Sequence, residues 1–138
     1  MYGTDKLPEV EISEEYRYEG SIWCGAPEST WFKTVKIPED VTVKQGIIVK
    51  EDPVTGIFNA ISAEDIITAP HSLPGARLGI VADKVAKGSV LIGIQGQVDK
   101  NKLLVEETAF SELSETQKIN LNTQLEAWSF QLIDVKQR

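Results

Sequence analysis

Few residues in this chain are of a type and spacing that could do chemistry. His71 is the only histidine, set between Pro70 and Ser72. A zinc site needs three or four Cys, His or carboxylate ligands at fixed spacings, and no such cluster surrounds it. His71 therefore reads as a loop histidine, exposed or locally hydrogen-bonded. Cys24 is the only cysteine, so no intrachain disulfide is available. A reactive thiol needs a base or cation beside it, and the one histidine is remote in sequence, which predicts a buried, inert thiol. Five neighbouring acid pairs occur: Glu14/Glu15, Glu39/Asp40, Glu51/Asp52, Glu64/Asp65 and Glu106/Glu107. Adjacent side chains point to opposite faces of a strand and diverge by about 100° on a helix. Such pairs are poor acid–base partners and read as solvated charge. Gly88, Gly93 and Gly96 fit neither a dinucleotide fingerprint nor a phosphate loop, and no serine sits in a nucleophile elbow. No catalytic residue, metal or cofactor is expected.

Charge narrows the partners. Fourteen Lys and Arg against 21 Asp and Glu leave a net charge of −7. Nucleic-acid binding requires a basic footprint that releases phosphate counterions, and this balance opposes it. The same sign disfavours docking on anionic membranes. A protein partner is the expectation. No apolar run approaches the roughly 20 residues that span a bilayer. The first residues, MYGTDKLPEVEISEEY, have the character of neither a signal nor a transit peptide, which predicts a soluble product made inside the cell.

The elements that would position any site are strands. The length of 138 residues predicts one compact domain, and 41% hydrophobic content is adequate for its core. Two regions are expected: an acidic, extended amino-terminal arm over residues 1–30 and a β-rich domain over residues 31–138. The arm region holds seven acids and two bases, yet also Val10, Ile12, Tyr16, Tyr18, Ile22 and Trp23. Val10/Ile12 and Tyr16/Tyr18 repeat at spacing two, as extended segments do. The region reads either as an arm that gains order against a partner or neighbouring subunit, or as an edge strand of the same domain. Trp23, Trp31 and Trp128 read as core anchors, since few bases surround them.

From Trp31 onward, Val- and Ile-rich runs alternate with turn residues. Trp31–Ile37 reads as the first core strand, with Trp31, Val35 and Ile37 on one face and Pro38 ending it. Gly46 marks a tight turn or bulge after Val41–Gln45. Asp52-Pro53-Val54-Thr55-Gly56 predicts a hairpin between Ile47–Val49 and Ile57–Ala60, because Pro suits an early turn position and Gly a late one. Ile61–Pro74 reads as a surface loop, in which Ser62–Asp65 could cap a single helical turn. Ala76–Val81 and Ser89–Ile94 are expected strands, the second entered through Lys87-Gly88. Gly93 and Gly96 point to a bulge or a close backbone approach. Leu103–Val105 is a short strand or a helical turn. Ser114-Glu115-Thr116-Gln117 has the form of a capping box opening an amphipathic helix with Leu121, Leu125 and Trp128 on one side. Trp128–Leu132 then alternates as a closing strand.

Two resemblances follow from these segments. Val81-Ala82-Asp83-Lys84-Val85-Ala86 resembles the Asp-Lys-Ala hairpin tip of lipoyl and biotinyl carrier domains, which implies Lys84 as an attachment site. Strands and glycines should flank such a tip symmetrically, and here they do not. The wider resemblance runs from about Pro38 to Val135. The order and spacing of Gln45-Gly46-Ile47-Ile48-Val49, Thr55–Ala60, Ala76–Val85 and Val90–Asp99, then a late helix and a short extended segment, look like the lambda-type head decoration proteins of tailed bacteriophages and related head-fibre bases. That resemblance implies a mainly β, β-rich α+β fold: a small barrel-like domain with one helix in its carboxy-terminal half. It further implies a homotrimer on the outer surface of the virion, bound to the major capsid protein and bracing the head against internal pressure. The arm would attach to the capsid through Tyr16, Tyr18, Ile22 and Trp23. The expected subunit interface comprises Ile80, Val81, Val85, Val90, Ile92, Gly93, Ile94 and Gly96. A small enzyme is the remaining class.

Overall fold

The computed structural model describes residues 22–24, 29–67 and 77–135. The fold is mainly β, a β-rich α+β arrangement in which the sheet curls but does not close into a barrel. In chain order the strands are β1 (Trp23–Cys24), β2 (Trp31–Lys36), β3 (Thr42–Lys44), β4 (Ile48–Glu51) and β5 (Phe58–Ala60). A five-residue helix α1 (Ala63–Ile67) precedes β6 (Leu78–Val81), β7 (Val85–Lys87) and β8 (Ser89–Asp99). Two 3₁₀ turns (Lys100–Lys102 and Phe110–Glu112) bracket the small hairpin β9 (Leu104–Val105) and β10 (Thr108–Ala109). Helix α2 (Glu115–Ala127) and strand β11 (Phe130–Ile133) complete the fold.

Strand β8, at eleven residues, carries the sheet. Its first half pairs antiparallel with β2 on one side and with β7 and β6 on the other. Its second half pairs antiparallel with β1 and parallel with β11. From β6 the sheet continues through β4 to β5, and from β7 to β3. The turn into β8 is made by Gly88, whose φ of 80° no side-chain-bearing residue adopts cheaply. The β4–β5 hairpin forms as its turn residues predict: the Gly56 N–H donates to the Asp52 carbonyl at 2.7 Å and Asp52 Oδ1 accepts from the Val54 N–H at 2.9 Å.

The sheet buries both faces. One core gathers Ile48, Leu78, Ile80, Val98, Leu121, Leu125 and Phe130 with Ile22 and Trp23. The other gathers Val35, Ile37, Val43, Val49, Phe58, Val81, Val90 and Ile92. Fully burying a side chain of this size contributes about 1.5–3 kcal/mol, so α2 is held chiefly by Leu121 and Leu125, both without exposed surface. Its start is fixed by the expected capping box: Ser114 Oγ accepts from the Gln117 N–H at 3.2 Å and Gln117 Oε1 accepts from the Ser114 N–H at 3.0 Å.

One open alternative is narrowed and two expectations are corrected. First, of the two readings of the amino-terminal region, Ile22–Cys24 follow the second, a strand of the same domain: Ile22 and Trp23 are buried in the first core, and β1 is laddered to β8. Second, the stretch expected as a loop after Ile61 contains α1, at the helical turn that Ser62–Asp65 allowed: Asp65 Oδ2 accepts from the Ser62 N–H and hydroxyl, the Asp65 N–H donates to the Ser62 carbonyl, and Ile66 is buried. Third, Trp31 is 57% exposed and not a core anchor. The register with β8 slips between Trp31 and Phe32, leaving Ile94 as an extra, bulged residue of β8. The same bulge explains why Val90 and Ile92 face the second core while Val98, at the same parity, faces the first.

Candidate functional site

Asp83–Lys84, the two-residue Asp-Lys feature, joins β6 to β7, and these strands pair with β8 but not with each other. The segment is pinned from two sides: Asp83 Oδ2 accepts from the Leu91 N–H at 2.9 Å, and Gln45 donates through Nε2 to the Ala82 carbonyl at 2.9 Å and through its own N–H to the Lys84 carbonyl at 3.2 Å. No carrier-type hairpin tip forms there. Among the described residues no three His, Cys, Asp or Glu side chains group as metal ligands would, and His71 lies outside the described residues. Cys24 is half-buried, not fully buried as expected. No helix of the described residues is long and apolar enough to cross a membrane.

The expected interface residues do share neighbouring strands, but the chain's own cores use most of them. Ile80, Val81, Val90 and Ile92 are buried within the chain. A Cβ on Gly93 would collide with the Trp23 ring, and one on Gly96 would press on Thr30, so the close approach these glycines permit is intramolecular. Ile94 is half-buried against the second core. Val85 alone of the set projects freely, with 69% of its surface exposed. Of the expected capsid-contacting residues, Tyr16 and Tyr18 lie outside the described residues, while Ile22 and Trp23 are core side chains.

The surface best suited to binding is the outer edge of β2. Among the described residues β2 has one strand partner, β8. The Ile37 N–H donates to the Gly88 carbonyl at 2.9 Å, which fixes the alternation of the antiparallel ladder: Lys33 and Val35 turn their backbone groups toward β8, and Phe32, Thr34 and Lys36 turn theirs away. Leu91, opposite Thr34, confirms the alternation, because its N–H also points away from β2, to Asp83. Trp31, Phe32, Lys33, Thr34 and Lys36 are all exposed. Phe32 is nonetheless held still: it meets the Trp23 ring edge-on at 5.3 Å, and Trp23 in turn packs against Phe130 at 6.5 Å. A half-exposed aromatic locked by a buried one is the usual anatomy of an interface anchor. Lys33 and Lys36 lie beside it on opposite faces of the strand.

A second feature keeps the sheet in shape at this level. The bulged Ile94 has its carbonyl taken by Arg77 Nη2, and the Arg77 guanidinium lies 5.0 Å over the Trp128 ring. The clasp ties the entry to β6 to the turn before β11. Sequence reasoning missed both it and the β2 edge. One signal was present for the edge: Trp31 and Phe32 are adjacent, and neighbours on a strand cannot both face one core. No family model matches the chain, and no curated protein shows detectable similarity to it.

Proposed function

We propose that the chain is a structural virion protein that binds the outer surface of a tailed-bacteriophage capsid as a homotrimer and stabilises the head, as decoration proteins and head-fibre bases do. What supports the reading is that the segments carrying the resemblance form one connected piece of architecture. Ile48–Glu51, Phe58–Ala60, Leu78–Val81 and Ser89–Asp99 are neighbouring strands, with the late helix packed on them and the closing strand laddered to β8. Contact with the shell and with other copies falls on the exposed Trp31, Phe32 and Val85 of the body, and Tyr16 and Tyr18 keep the capsid-attaching role that the resemblance implies. Ile22 and Trp23 are core side chains, and Trp23 serves that contact only indirectly, by packing on Phe32. Partners are the major capsid protein and further copies of the chain; the acidic balance disfavours nucleic acid and anionic membrane.

The test is sedimentation with expanded, DNA-free heads of the phage that encodes the chain. Saturable co-sedimentation in multiples of three copies, with heads that withstand heating longer than bare ones, is the expected outcome. Heads that pellet without the protein at saturating concentration rule the reading out.

A further inference from the structure

We infer that the outer edge of β2 takes up a strand from the acidic amino-terminal segment of a neighbouring copy, around Glu9–Ser13, and that this exchange closes the trimer. The inference rests on the homotrimer proposed above and names the surfaces that would make it. The acceptor is defined by three properties of β2. Its backbone groups at Phe32, Thr34 and Lys36 point away from β8 and have no strand partner among the described residues. Its side chains include two exposed aromatics, Trp31 and Phe32. Its two lysines, Lys33 and Lys36, are both exposed on a chain of net charge −7.

The occupant follows from charge and alternation. Residues 1–21 hold Asp5, Glu9, Glu11, Glu14, Glu15 and Glu19 against Lys6 and Arg17, a net −4 of the chain's −7. Within them Glu9-Val10-Glu11-Ile12-Ser13 alternates strictly, so as a strand it sets two carboxylates on one face and two aliphatic groups on the other. Lys33 and Lys36 occupy opposite faces of β2, so a carboxylate meets a lysine whichever way the added strand faces. Backbone hydrogen bonds supply affinity and the alternate side chains supply register, as in other strand-addition complexes. Donating one's own segment to the next copy while accepting another's is a head-to-tail contact, which makes a ring where the rotation between copies closes and an open filament where it does not; the trimer proposed above is the closed case.

The experiment uses the full chain and measures molar mass by light scattering from micromolar to near-millimolar concentration. Thr34→Pro removes an N–H that only an outer partner would use and leaves the β8 ladder intact, since an edge strand tolerates proline on its open side. Lys33→Glu/Lys36→Glu and Glu9→Lys/Glu11→Lys reverse the two sides of the contact separately. Expected are a trimer for the unaltered chain, a mass near one third of that for each of the three variants with unchanged far-UV circular dichroism, and a restored trimer when both charge reversals are combined. Should Thr34→Pro fail to fold, the charge reversals and their combination decide the matter alone. Trimers that survive every variant overturn the exchange and leave the trimer standing. A monomeric unaltered chain also overturns it, while head sedimentation still judges the proposed function.

Discussion

Replacing Gly93 by alanine tests whether Trp23 belongs to the folded body. A Cβ at Gly93 falls inside the Trp23 indole, and the ring has little room to retreat. It is 8% exposed, edge-on to Phe32 and tilted against Phe130. Either the ring tilts out of the core or β1 lifts from β8. Forcing an extra carbon into a packed core costs about 1–3 kcal/mol, and complete loss of a buried Trp side chain about 3–5 kcal/mol. Gly93→Ala should therefore cost about 2–3 kcal/mol. With a urea dependence of about 1–3 kcal/mol per molar, the unfolding midpoint falls by about 1 M. Gly79→Ala is the control, because its Cβ would meet Ile92 Cδ1, the movable end of a side chain, and should cost about 1 kcal/mol or less. The decisive measurement is a double-mutant cycle followed by far-UV circular dichroism. Trp23→Ala alone is expected to cost about 3–5 kcal/mol, and Gly93→Ala added to it almost nothing. Coupling near 2 kcal/mol far exceeds the roughly 0.5 kcal/mol within which independent sites add. Strict additivity would refute the packing of Trp23 on Gly93 and return Ile22–Cys24 to a detachable arm.

Arg77→Ala should lower stability by about 2–3 kcal/mol, combining a charged hydrogen bond to the Ile94 carbonyl with the stack on Trp128. Arg77→Lys should recover less than half of that in urea unfolding, since an ammonium lacks the planar fork; full recovery would show that charge alone matters. Ser114→Ala should cost about 1 kcal/mol through loss of the capping box, and an unchanged midpoint would mean that α2 is held by packing alone. Asp65 gives a pH dependence. Burial opposes its ionisation, but hydrogen bonds from Lys50 and from the Ser62 amide and hydroxyl, with the Lys50 charge, outweigh burial and hold its carboxyl below the ordinary value. A depressed folded-state value means that Asp65 stabilises the fold fully above its unfolded value. That contribution is lost as pH falls through the folded value. Stability measured from neutral pH down to about 3 should therefore decline less steeply in Lys50→Met than in the unaltered chain; parallel declines would refute the assignment.

What was legible in the sequence was local. The Asp52–Gly56 turn, the Lys87-Gly88 turn and the Ser114/Gln117 capping box each follow from the conformational limits of a few consecutive residues, and each forms as expected. What was hidden depends on distant partners. Nothing around Trp23 announces that its ring closes over a glycine seventy residues later. Nothing around Ile94 shows that its bulge exchanges the two cores along one strand. The candidate site was missed for the same reason: the β2 edge is open because of where β8 finds its other partners, and Trp31 is exposed beside a register slip that β2 alone does not announce. The glycines of β8 were rightly read as places of close approach, but the approaching groups, the Trp23 indole at Gly93 and Thr30 at Gly96, belong to the same chain.

The position of β8 also governs when the protein can finish folding. Its flanks are filled by Trp23–Cys24 and Trp31–Lys36 from early in the chain and by Phe130–Ile133 from near its end. Such long-range closure is slow to nucleate. A nascent chain leaving the ribosome holds Gly96–Asp99, the second half of β8, with one border bare until Phe130–Ile133 emerges. During that interval an unpaired backbone edge invites mispairing with other nascent chains. Carboxy-terminal truncation by a dozen residues should thus yield insoluble product in place of a shortened but working protein.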